Sequence, residues 1–216
     1  MIETVRCFVA CDLSMELVRG VTGLQRDLVE AVGDQAKVRW ASPATMHVTL
    51  SFLGSKVDKG ITVAVADALP GCAGTVEAFD LEVAGVGAFP SLAKARVLWV
   101  GANDADGRLA AAASAVAQMA QDLGFEPEGR EFSGHVTLGR VRGTGGGAEL
   151  TAVLQPHKDL EVGTCRVSEL VLYRSVLTPK GATYESMVRA PLRRKSERGP
   201  ERAKPETTPS QEAEAP

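Results

Sequence analysis

The sequence lacks the features that mark several large classes of protein. Its 216 residues carry a formal net charge of -3, so it has no excess of Lys and Arg for extended contacts with nucleic-acid phosphates. The first residues, "MIETVRCFVACDLS", lack the basic start, long apolar run and small-residue cleavage site typical of a secretory signal. No apolar run approaches the roughly 20 residues that cross a bilayer. The four cysteines form no CxxC pair and have no histidine at metal-ligand spacing. We therefore expect a cytoplasmic protein with no membrane segment, structural disulfide, metal or other cofactor.

Strand-forming and helical patterns alternate along residues 1–190 and predict a single α+β domain. Short turns join many of the predicted strands, which favours antiparallel pairing over a parallel Rossmann sheet. We expect "MHVTLSFLG" to be a strand that ends at Gly54, and residues 59–69 to be a helix closed by Pro70 and Gly71. The run "CRVSELVLYRSVL" is expected to form one strand. The predicted order of elements is β-α-β-β-α-β-β-α-β-α-β-β.

The C-terminal residues 191–216 differ from the rest of the chain in composition. They are rich in Pro, Glu, Lys, Arg, Ser and Thr and show no apolar periodicity. A segment of this kind buries too little apolar surface to offset the entropy that it would lose on ordering. We predict that residues 191–216 form a disordered tail.

The tetrapeptide HVTL occurs twice and contains two of the three histidines in the chain. In each copy, strand alternation places His and Thr on one face and Val and Leu on the other. The first strand continues this pattern, with Ser51 on the histidine face and Phe52 on the apolar face. The apolar residues would anchor each strand in a core, which leaves the other face free to line a cleft. The residues expected there are His47, Thr49, His135 and Thr137.

Two histidines and two threonines are suited to splitting a phosphodiester without a metal. A histidine with an ordinary pKa near 6.5 can act as acid or base at neutral pH. In-line cleavage needs one group to deprotonate water and another to protonate the leaving oxygen. Threonine hydroxyls can donate hydrogen bonds to the non-bridging phosphate oxygens, where charge grows in the transition state.

A single HVTL also has a purely structural explanation, because Val, Thr and Leu fit strands well and a lone histidine is commonly structural. Two copies, each preceded by turn residues, favour a shared functional role. His157 lies in "QPHKD" without this context and is interpreted as a loop residue.

The chain resembles the two-histidine phosphoesterase superfamily, and within it the bacterial and archaeal RNA 2′,3′-cyclic phosphodiesterases, originally called 2′-5′ RNA ligases. The signature of that family is two copies of His-x-Thr-x, which both HVTL copies match. The resemblance covers residues 1 to about 190. Its supporting segments are "RCFVACDLS", "VRWASPATMHVTLSFLG", "GVGAFPSLAKARVLWVG" and "LVLYRSVLTPKGATYESM".

The resemblance implies a bilobal α+β fold, in which two antiparallel sheets in pseudo-twofold arrangement surround a central cleft with helices outside. It also implies that His47 is the proton donor, which protonates the 3′-oxygen leaving group. His135 would then be the proton acceptor, which activates water and gives a 2′-phosphate end. Thr49 and Thr137 would hold the phosphate oxygens. We expect a monomer, because an internally duplicated cleft needs no second subunit.

Three positions depart from the family pattern or are open to two interpretations. Relatives often have Pro before the second histidine, whereas this chain has Gly134, which could loosen the start of the strand. Arg140 matches a basic position of the family and could contact phosphate, but strict alternation points it away from His135 unless a bulge intervenes. Phe8 could stack on a terminal base or be a core residue.

The expected function is metal-independent hydrolysis of RNA 2′,3′-cyclic phosphate ends, with 2′-5′ RNA ligation as the reverse chemistry. One alternative keeps the chemistry and changes the substrate to a small cyclic nucleotide. Another is a non-catalytic module that binds RNA termini, although such a module would not need two proton-transfer groups. Six basic residues could form a rim for RNA or could be scattered surface charges: Lys37, Arg39, Lys94, Arg96, Arg130 and Arg142.

Overall fold

The computed structural model describes residues 3–143, 147–179 and 181–194. Within these residues it contains nine strands and four helices. The strands are β1 (Thr4–Asp12), β2 (Val38–Trp40), β3 (His47–Asp58), β4 (Phe79–Phe89), β5 (Val97–Asn103), β6 (His135–Val141), β7 (Glu161–Val167), β8 (Glu169–Thr178) and β9 (Gly181–Pro191). The helices are α1 (Met15–Val32), α2 (Lys59–Ala73), α3 (Arg108–Asp122) and α4 (Gly147–Leu154).

The strands form two antiparallel halves that join at the two HVTL strands. The order is β7-β4-β5-β6-β3-β1-β8-β9, with β2 paired to β6. Both halves have the same plan from the centre outward, because a helical crossover separates β3 from its neighbour β1 and likewise β6 from its neighbour β5. The halves meet through the single pair Val48 and Val136. The predicted bilobal α+β fold is confirmed, and the lobes share one curled, continuous sheet.

The helices cover the side of the sheet that carries the apolar residues of the strands. Helix α1 begins at Ser14, whose hydroxyl accepts a hydrogen bond from the N–H of Leu17 (3.2 Å), as an N-cap residue should. Its buried residues recur at helical spacing, from Leu17 to Val32. Helix α1 packs against β7 and α3 packs against β3, so each helix also contacts the opposite half. The core therefore extends across both lobes.

The run "CRVSELVLYRSVL" is two strands and not the one strand predicted. Strand β7 pairs with β4 at one edge of the sheet, while β8 pairs with β1 in the other half. The break falls at Ser168, where the buried side chains change parity from Cys165 and Val167 to Leu170 and Leu172. The prediction was wrong because the whole run is strand-forming, and pairing partners distant in sequence decide where it divides.

Helix α2 continues to Ala73 and does not end before Pro70 as predicted. Proline removes one backbone donor and disfavours a helix interior. Here it lies in the last turn, and the N–H of Gly74 donates to the carbonyl of Pro70 (3.0 Å). The chain therefore turns at Gly74, and strand β3 likewise runs past Gly54 to Asp58.

The predicted boundary after residue 190 lies too early. Leu192 is buried with 5% exposure. The N–H of Arg193 donates to the carbonyl of Val76 and the N–H of Ala78 donates to the carbonyl of Arg193, both at 2.8 Å. One apolar residue among charged neighbours shows no periodicity, so the sequence did not reveal this attachment. The rest of the predicted tail, residues 195–216, lies outside the described residues.

No helix in the described part of the chain is long and apolar enough to cross a membrane. All four cysteines are free thiols, and Cys7, Cys11 and Cys165 are buried. Among residues 3–143, 147–179 and 181–194 there is no group of three or more His, Cys, Asp or Glu side chains arranged to hold a metal ion.

Candidate active site

The four motif side chains meet at the junction of the two halves. Because Val48 pairs with Val136 in antiparallel register, His47 lies across from Thr137 and Thr49 lies across from His135. All four line one cleft, which encloses about 960 Å³. The predicted convergence of two imidazoles and two hydroxyls is thus the arrangement that the structure has.

The two histidine rings are held in the same way. Nδ1 of His47 lies 2.8 Å from the carbonyl oxygen of Thr45, and Nδ1 of His135 lies 2.7 Å from that of Ser133. A carbonyl can only accept, so each Nδ1 carries a proton and donates it. Nε2 is then the nitrogen available for chemistry, and Nε2 of His47 lies 2.9 Å from the Thr49 hydroxyl. The carbonyl two residues before each histidine fixes its tautomer.

Aromatic side chains support both rings. Phe8 stacks on His47 with ring centroids 4.8 Å apart, and Tyr184 meets the same ring edge-on at 5.2 Å. Phe89 meets His135 edge-on at 5.0 Å. Phe8 borders the cleft but is only 4% exposed, so it has no free face for a base. Phe8 is therefore buried on the cleft side of the sheet against His47, and not within the main apolar core.

A carboxylate lies beside His47. Asp12 is the cross-strand partner of His47. Its carboxylate accepts a hydrogen bond from the hydroxyl of Tyr173 (2.7 Å) and forms an ion pair with Arg189 (3.0 Å). Burial and the contact with Asp12 raise the pKa of Tyr173, so its hydroxyl stays protonated and donates. Burial lowers the pKa of His47 below 6.5, the carbonyl of Thr45 and the carboxylate of Asp12 oppose this shift, and the neighbouring His135 adds to it.

A guanidinium lies beside His135 instead. Burial lowers the pKa of His135, the carbonyl of Ser133 opposes the shift, and the charge of Arg140 lowers the pKa further. The two rings therefore have the same hydrogen-bonding geometry but neighbours of opposite charge. Asp12 favours the protonated form of His47, whereas Arg140 favours the neutral form of His135.

Arg140 reaches the cleft through a β-bulge. Leu98 pairs with Gly139 while Trp99 pairs with Thr137, so Leu138 is an extra residue in β6. The bulge changes the parity of the strand, and Arg140 lines the same cleft as His135 and Thr137. The bulge that Arg140 needs in order to face the side of His135 is therefore present.

Phe52 does not lie on the apolar face of β3, as alternation predicted, because a bulge in β3 changes the side that it faces. Thr49 pairs with Ala10 and Ser51 with Val9, so Leu50 is the extra residue. Phe52 then pairs with Phe8 and does not follow Leu50 into the core. It is 41% exposed, and its ring lies 4.4 Å from the guanidinium carbon of Arg6. Strict alternation failed because the insertion resets the register.

Gly134 does not loosen the start of β6. A Cβ at this position would overlap the carbonyl oxygen of Ala102 and lie 2.8 Å from a methyl of Leu109. The carbonyl of Gly134 accepts a hydrogen bond from the N–H of Ala102 (3.0 Å). Close packing thus restrains the residue before His135.

The basic residues fall into two groups. Arg39 and Arg130 line the cleft that contains the two histidines, and Arg96 and Arg130 line a cavity beside it. The cleft lining does not include Lys37, Lys94 or Arg142. His157 lies in a short 3₁₀ turn after α4 and does not line the cleft, in agreement with its interpretation as a loop residue.

Sequence reasoning missed the neighbours that support the two rings. Asp12, Tyr173 and Tyr184 come from three strands, and only the pairing of β1 with β3 and β8 brings them to His47. Phe89 and Trp99 reach His135 from β4 and β5 in the same way. The sequence offered one signal. Strand alternation places Asp12 on the same face of β1 as Ala10, and these two residues pair with His47 and Thr49.

A duplicated lobe with one histidine and one threonine from each half defines a two-histidine phosphoesterase. The family comparison agrees, because the model described as "LigT like Phosphoesterase" matches residues 16–99 and again residues 100–184. The chain belongs to the LigT-like phosphoesterase family. Each match contains one of the two HVTL strands, β3 in the first and β6 in the second.

Curated relatives and solved structures are similar over most of the chain. An RNA 2′,3′-cyclic phosphodiesterase of Methanothermobacter thermautotrophicus is 35% identical over 187 residues, which is 85% of this chain and 96% of that protein. One from Aeropyrum pernix is 35% identical over 141 residues, 65% of this chain and 78% of that protein. E. coli LigT complexed with 3′-AMP has a TM-score of 0.69 at 24% identity, covering 88% of this chain and 99% of that one. TT0787 of Thermus thermophilus has a TM-score of 0.70 at 21% identity, covering 87% and 98%.

Proposed function

We propose that this chain is an RNA 2′,3′-cyclic phosphodiesterase that opens cyclic phosphate ends to 2′-phosphates without a metal. The observation that carries the proposal is the pair of histidines with matched ring orientation across one cleft. Relatives up to 35% identical are named RNA 2′,3′-cyclic phosphodiesterases, which supports the substrate class.

The residues present suit a two-histidine mechanism. His135 takes a proton from water at Nε2, the water oxygen attacks phosphorus, and the bond to the 3′-oxygen breaks. His47 gives the proton on its Nε2 to that leaving oxygen. A phosphate oxygen held by Thr49 lies within reach of the same nitrogen, since Nε2 of His47 and the Thr49 hydroxyl are 2.9 Å apart. Thr137 and Arg140 hold the other non-bridging oxygen.

The charges next to each histidine support the assignment of acid and base. The acid must begin protonated, and Asp12 opposes the loss of that proton from His47. The base must begin neutral, and Arg140 favours the neutral form of His135. This electrostatic difference supports the same order of roles that the family resemblance implies.

The test is hydrolysis of an oligonucleotide with a terminal 2′,3′-cyclic phosphate in the presence of EDTA. His47→Ala and His135→Ala are each expected to lower kcat/KM by roughly 10²–10⁴, the usual contribution of one proton-transfer group. His157→Ala is the matched control and should keep wild-type activity. Full activity of His135→Ala, or loss of wild-type activity in EDTA, would refute the mechanism.

A small cyclic nucleotide is the alternative substrate. E. coli LigT has been solved with 3′-AMP and with ATP, and the cleft volume of about 960 Å³ is enough for one nucleotide. We expect a nucleoside 2′,3′-cyclic phosphate to react more slowly than an oligonucleotide. Equal kcat/KM values for both would favour the small substrate. Tight binding of a 2′-phosphate end without any turnover would favour the non-catalytic RNA-terminus module.

The reverse chemistry would join a cyclic phosphate end to a 5′-hydroxyl and form a 2′-5′ linkage. Such an enzyme would serve RNA processing in the cytoplasm and act as a monomer, because both halves of the site come from one chain. Light scattering of the purified protein tests the monomer, and cell fractionation tests the location.

A further inference from the structure

Two arginines face each other across the paired strands β2 and β6. Arg39 pairs directly with Arg140, and both line the cleft that contains the two histidines. Like charges directly opposite one another destabilise a strand pair. The ion pairs among the described residues include neither of these two arginines. This arrangement favours a ligand that brings negative charge to both.

The cleft carries more positive charge than one cyclic phosphate needs. Four arginines line it, and Glu128 supplies the single carboxylate among the described residues of the lining. A cyclic phosphodiester has one negative charge. In the proposed mechanism that charge is met by Arg140, whose own charge lowers the pKa of His135. The other three arginines are therefore in excess of what the reacting group requires.

Two of these three arginines have other neighbours. The guanidinium carbon of Arg6 lies 4.4 Å from the ring centre of Phe52, and Arg6 donates a hydrogen bond to the hydroxyl of Ser55 (2.9 Å). Arg130 also lines the cavity beside the cleft, together with two glutamates. Among the described residues of the cleft, Arg39 is thus the arginine best placed to meet a further anion of the substrate.

Arg39 lies on the side of the cleft where the proposed mechanism places the terminal ribose, which is the side of His47. Its Nη2 lies against the start of β9, because a Cβ at Gly181 would be only 3.0 Å from it. Tyr184, three residues further along β9, meets the ring of His47 edge-on. Three residues of a strand span about 10 Å. Strand β9 thus separates Arg39 from His47 by a distance that suits one nucleoside.

We propose that Arg39 binds the phosphodiester that precedes the terminal nucleotide, and that this contact makes the enzyme select RNA ends over single nucleotides. The inference rests on the proposed phosphodiesterase function and names the part of the substrate that gives this selectivity. A nucleoside 2′,3′-cyclic phosphate has no phosphate at this position, whereas every longer strand has one. Each of the two opposed arginines then meets one of two successive phosphates, which offsets their repulsion.

The experiment compares two dinucleotides that end in a 2′,3′-cyclic phosphate. In one the internal linkage is a phosphodiester, and in the other it is an uncharged methylphosphonate. The wild type should have a kcat/KM at least about tenfold higher for the charged linkage, the usual effect of one hydrogen bond between charged partners. Arg39→Gln should bring this ratio close to one, mainly through KM. Both substrates are measured on one preparation, so a loss of folded protein does not alter the ratio.

Arg142→Gln is the matched control. It makes the same change at an exposed arginine just after β6 that does not line the cleft, so it should keep the wild-type ratio. The dependence on salt gives a second measurement. On a plot of log kcat/KM against log salt concentration, the wild-type slope should be steeper for the charged linkage by about 0.7, the contribution of one single-strand phosphate. This difference should disappear in Arg39→Gln.

Several results would overturn this role of Arg39. One is an equal kcat/KM of the wild type for both linkages, and another is an unchanged ratio in Arg39→Gln. An equal loss of activity on both substrates would place Arg39 at the reacting phosphate instead. A single nucleotide with a 5′-phosphate and a 2′,3′-cyclic phosphate that reacts as fast as the dinucleotide would show that the site does not select RNA. A wild type that hydrolyses none of these substrates would refute the proposed function itself.

Discussion

At the scale of single residues, the two motif histidines differ only in their neighbours. Each donates from Nδ1 to the carbonyl two residues earlier, so the ring geometry is the same in both halves. Asp12 beside His47 and Arg140 beside His135 then act on the two pKa values in opposite directions. The electrostatic asymmetry between the two histidines therefore comes from residues outside the repeated tetrapeptide.

The pH dependence of kcat/KM should report this asymmetry. Both histidine pKa values lie below 6.5, so we expect a bell-shaped profile with its optimum below about 6.5. Asp12→Asn removes the charge that raises the pKa of His47, so the alkaline limb should move to lower pH. Arg140→Gln removes the charge that lowers the pKa of His135, so the acidic limb should move to higher pH.

The measurement is kcat/KM against pH for the wild type and both variants on one oligonucleotide substrate. Glu185→Gln is the control, because Glu185 pairs with Arg174 on the exposed outer part of the sheet. Movement of the acidic limb in Asp12→Asn, or of the alkaline limb in Arg140→Gln, would reverse the assignment of acid and base.

At the scale of elements, bulges decide which side chains reach the cleft. The extra residue Leu138 in β6 brings Arg140 to the side of His135. The extra residue Leu50 in β3 brings Phe52 to the same surface. Both strands carry the insertion after the HVTL threonine, so the motif keeps strict alternation while the residues after it do not.

Gln25 of α1 holds the bulged part of β6. Its side-chain amide is buried and donates to the carbonyls of Ala41 (2.9 Å) and Leu138 (2.8 Å). Gln25→Leu should lower the free energy of unfolding by about 1–3 kcal/mol, because the carbonyls lose a buried donor. Gln35→Leu is the control at an exposed position and should change it by less than about 0.5 kcal/mol. Urea unfolding measures both, and equal effects would contradict a specific role for Gln25.

Gly134 should tolerate no side chain. Gly134→Ala would force its Cβ against the carbonyl oxygen of Ala102, so we expect a loss of about 1–3 kcal/mol in the free energy of unfolding. Displacement of His135, the next residue, should also lower kcat. Gly23→Ala is the control in α1, where a Cβ meets nothing within 4 Å, and should stabilise the fold by about 0.5–1 kcal/mol. Thermal unfolding distinguishes the two, and a stable, fully active Gly134→Ala would show that this packing is not needed.

At the scale of the whole molecule, the chain crosses repeatedly between the two halves. Strand β7 completes the half that contains β6, and the next strand, β8, lies in the half that contains β3. After β9 the chain returns to the half that contains β6, where Arg193 forms a parallel bridge with Glu77, just before β4. These crossings lie next to each other, because the N–H of Leu192 donates to the carbonyl of Ser168 (2.9 Å). They join the lobes at a second place besides the single residue pair between β3 and β6.

The C-terminal attachment should contribute measurably to stability. A chain that ends at Ala190 lacks Leu192, whose side chain is 5% exposed, and the backbone hydrogen bonds of Arg193. It should unfold with a free energy lower by at least about 1.5–3 kcal/mol than a chain that ends at Arg194, the usual contribution of one buried leucine. Guanidinium unfolding of the two chains makes the comparison. Equal midpoints would show that residues 191–194 add nothing to the fold.

The sequence by itself was enough to predict most of the elements and the four motif side chains that line the cleft. Apolar periodicity and alternation are local properties, so they were sufficient to predict the α+β class and the strands that carry His47, Thr49, His135 and Thr137. Strict alternation predicts which side of a strand a residue faces only where no bulge interrupts the strand. Phe52 was therefore assigned to the wrong side, and Arg140 reaches the cleft only because of a bulge.

Only the tertiary structure decided what surrounds those groups. The division of one predicted strand at Ser168, the attachment of Leu192, and the positions of Asp12 and Tyr173 beside His47 all depend on pairing between segments far apart in sequence. Pairing energies belong to two strands at once, so neither strand alone reveals them. The tetrapeptide therefore supplies the two histidines and two threonines, and the fold around it places charges of opposite sign beside the two histidines.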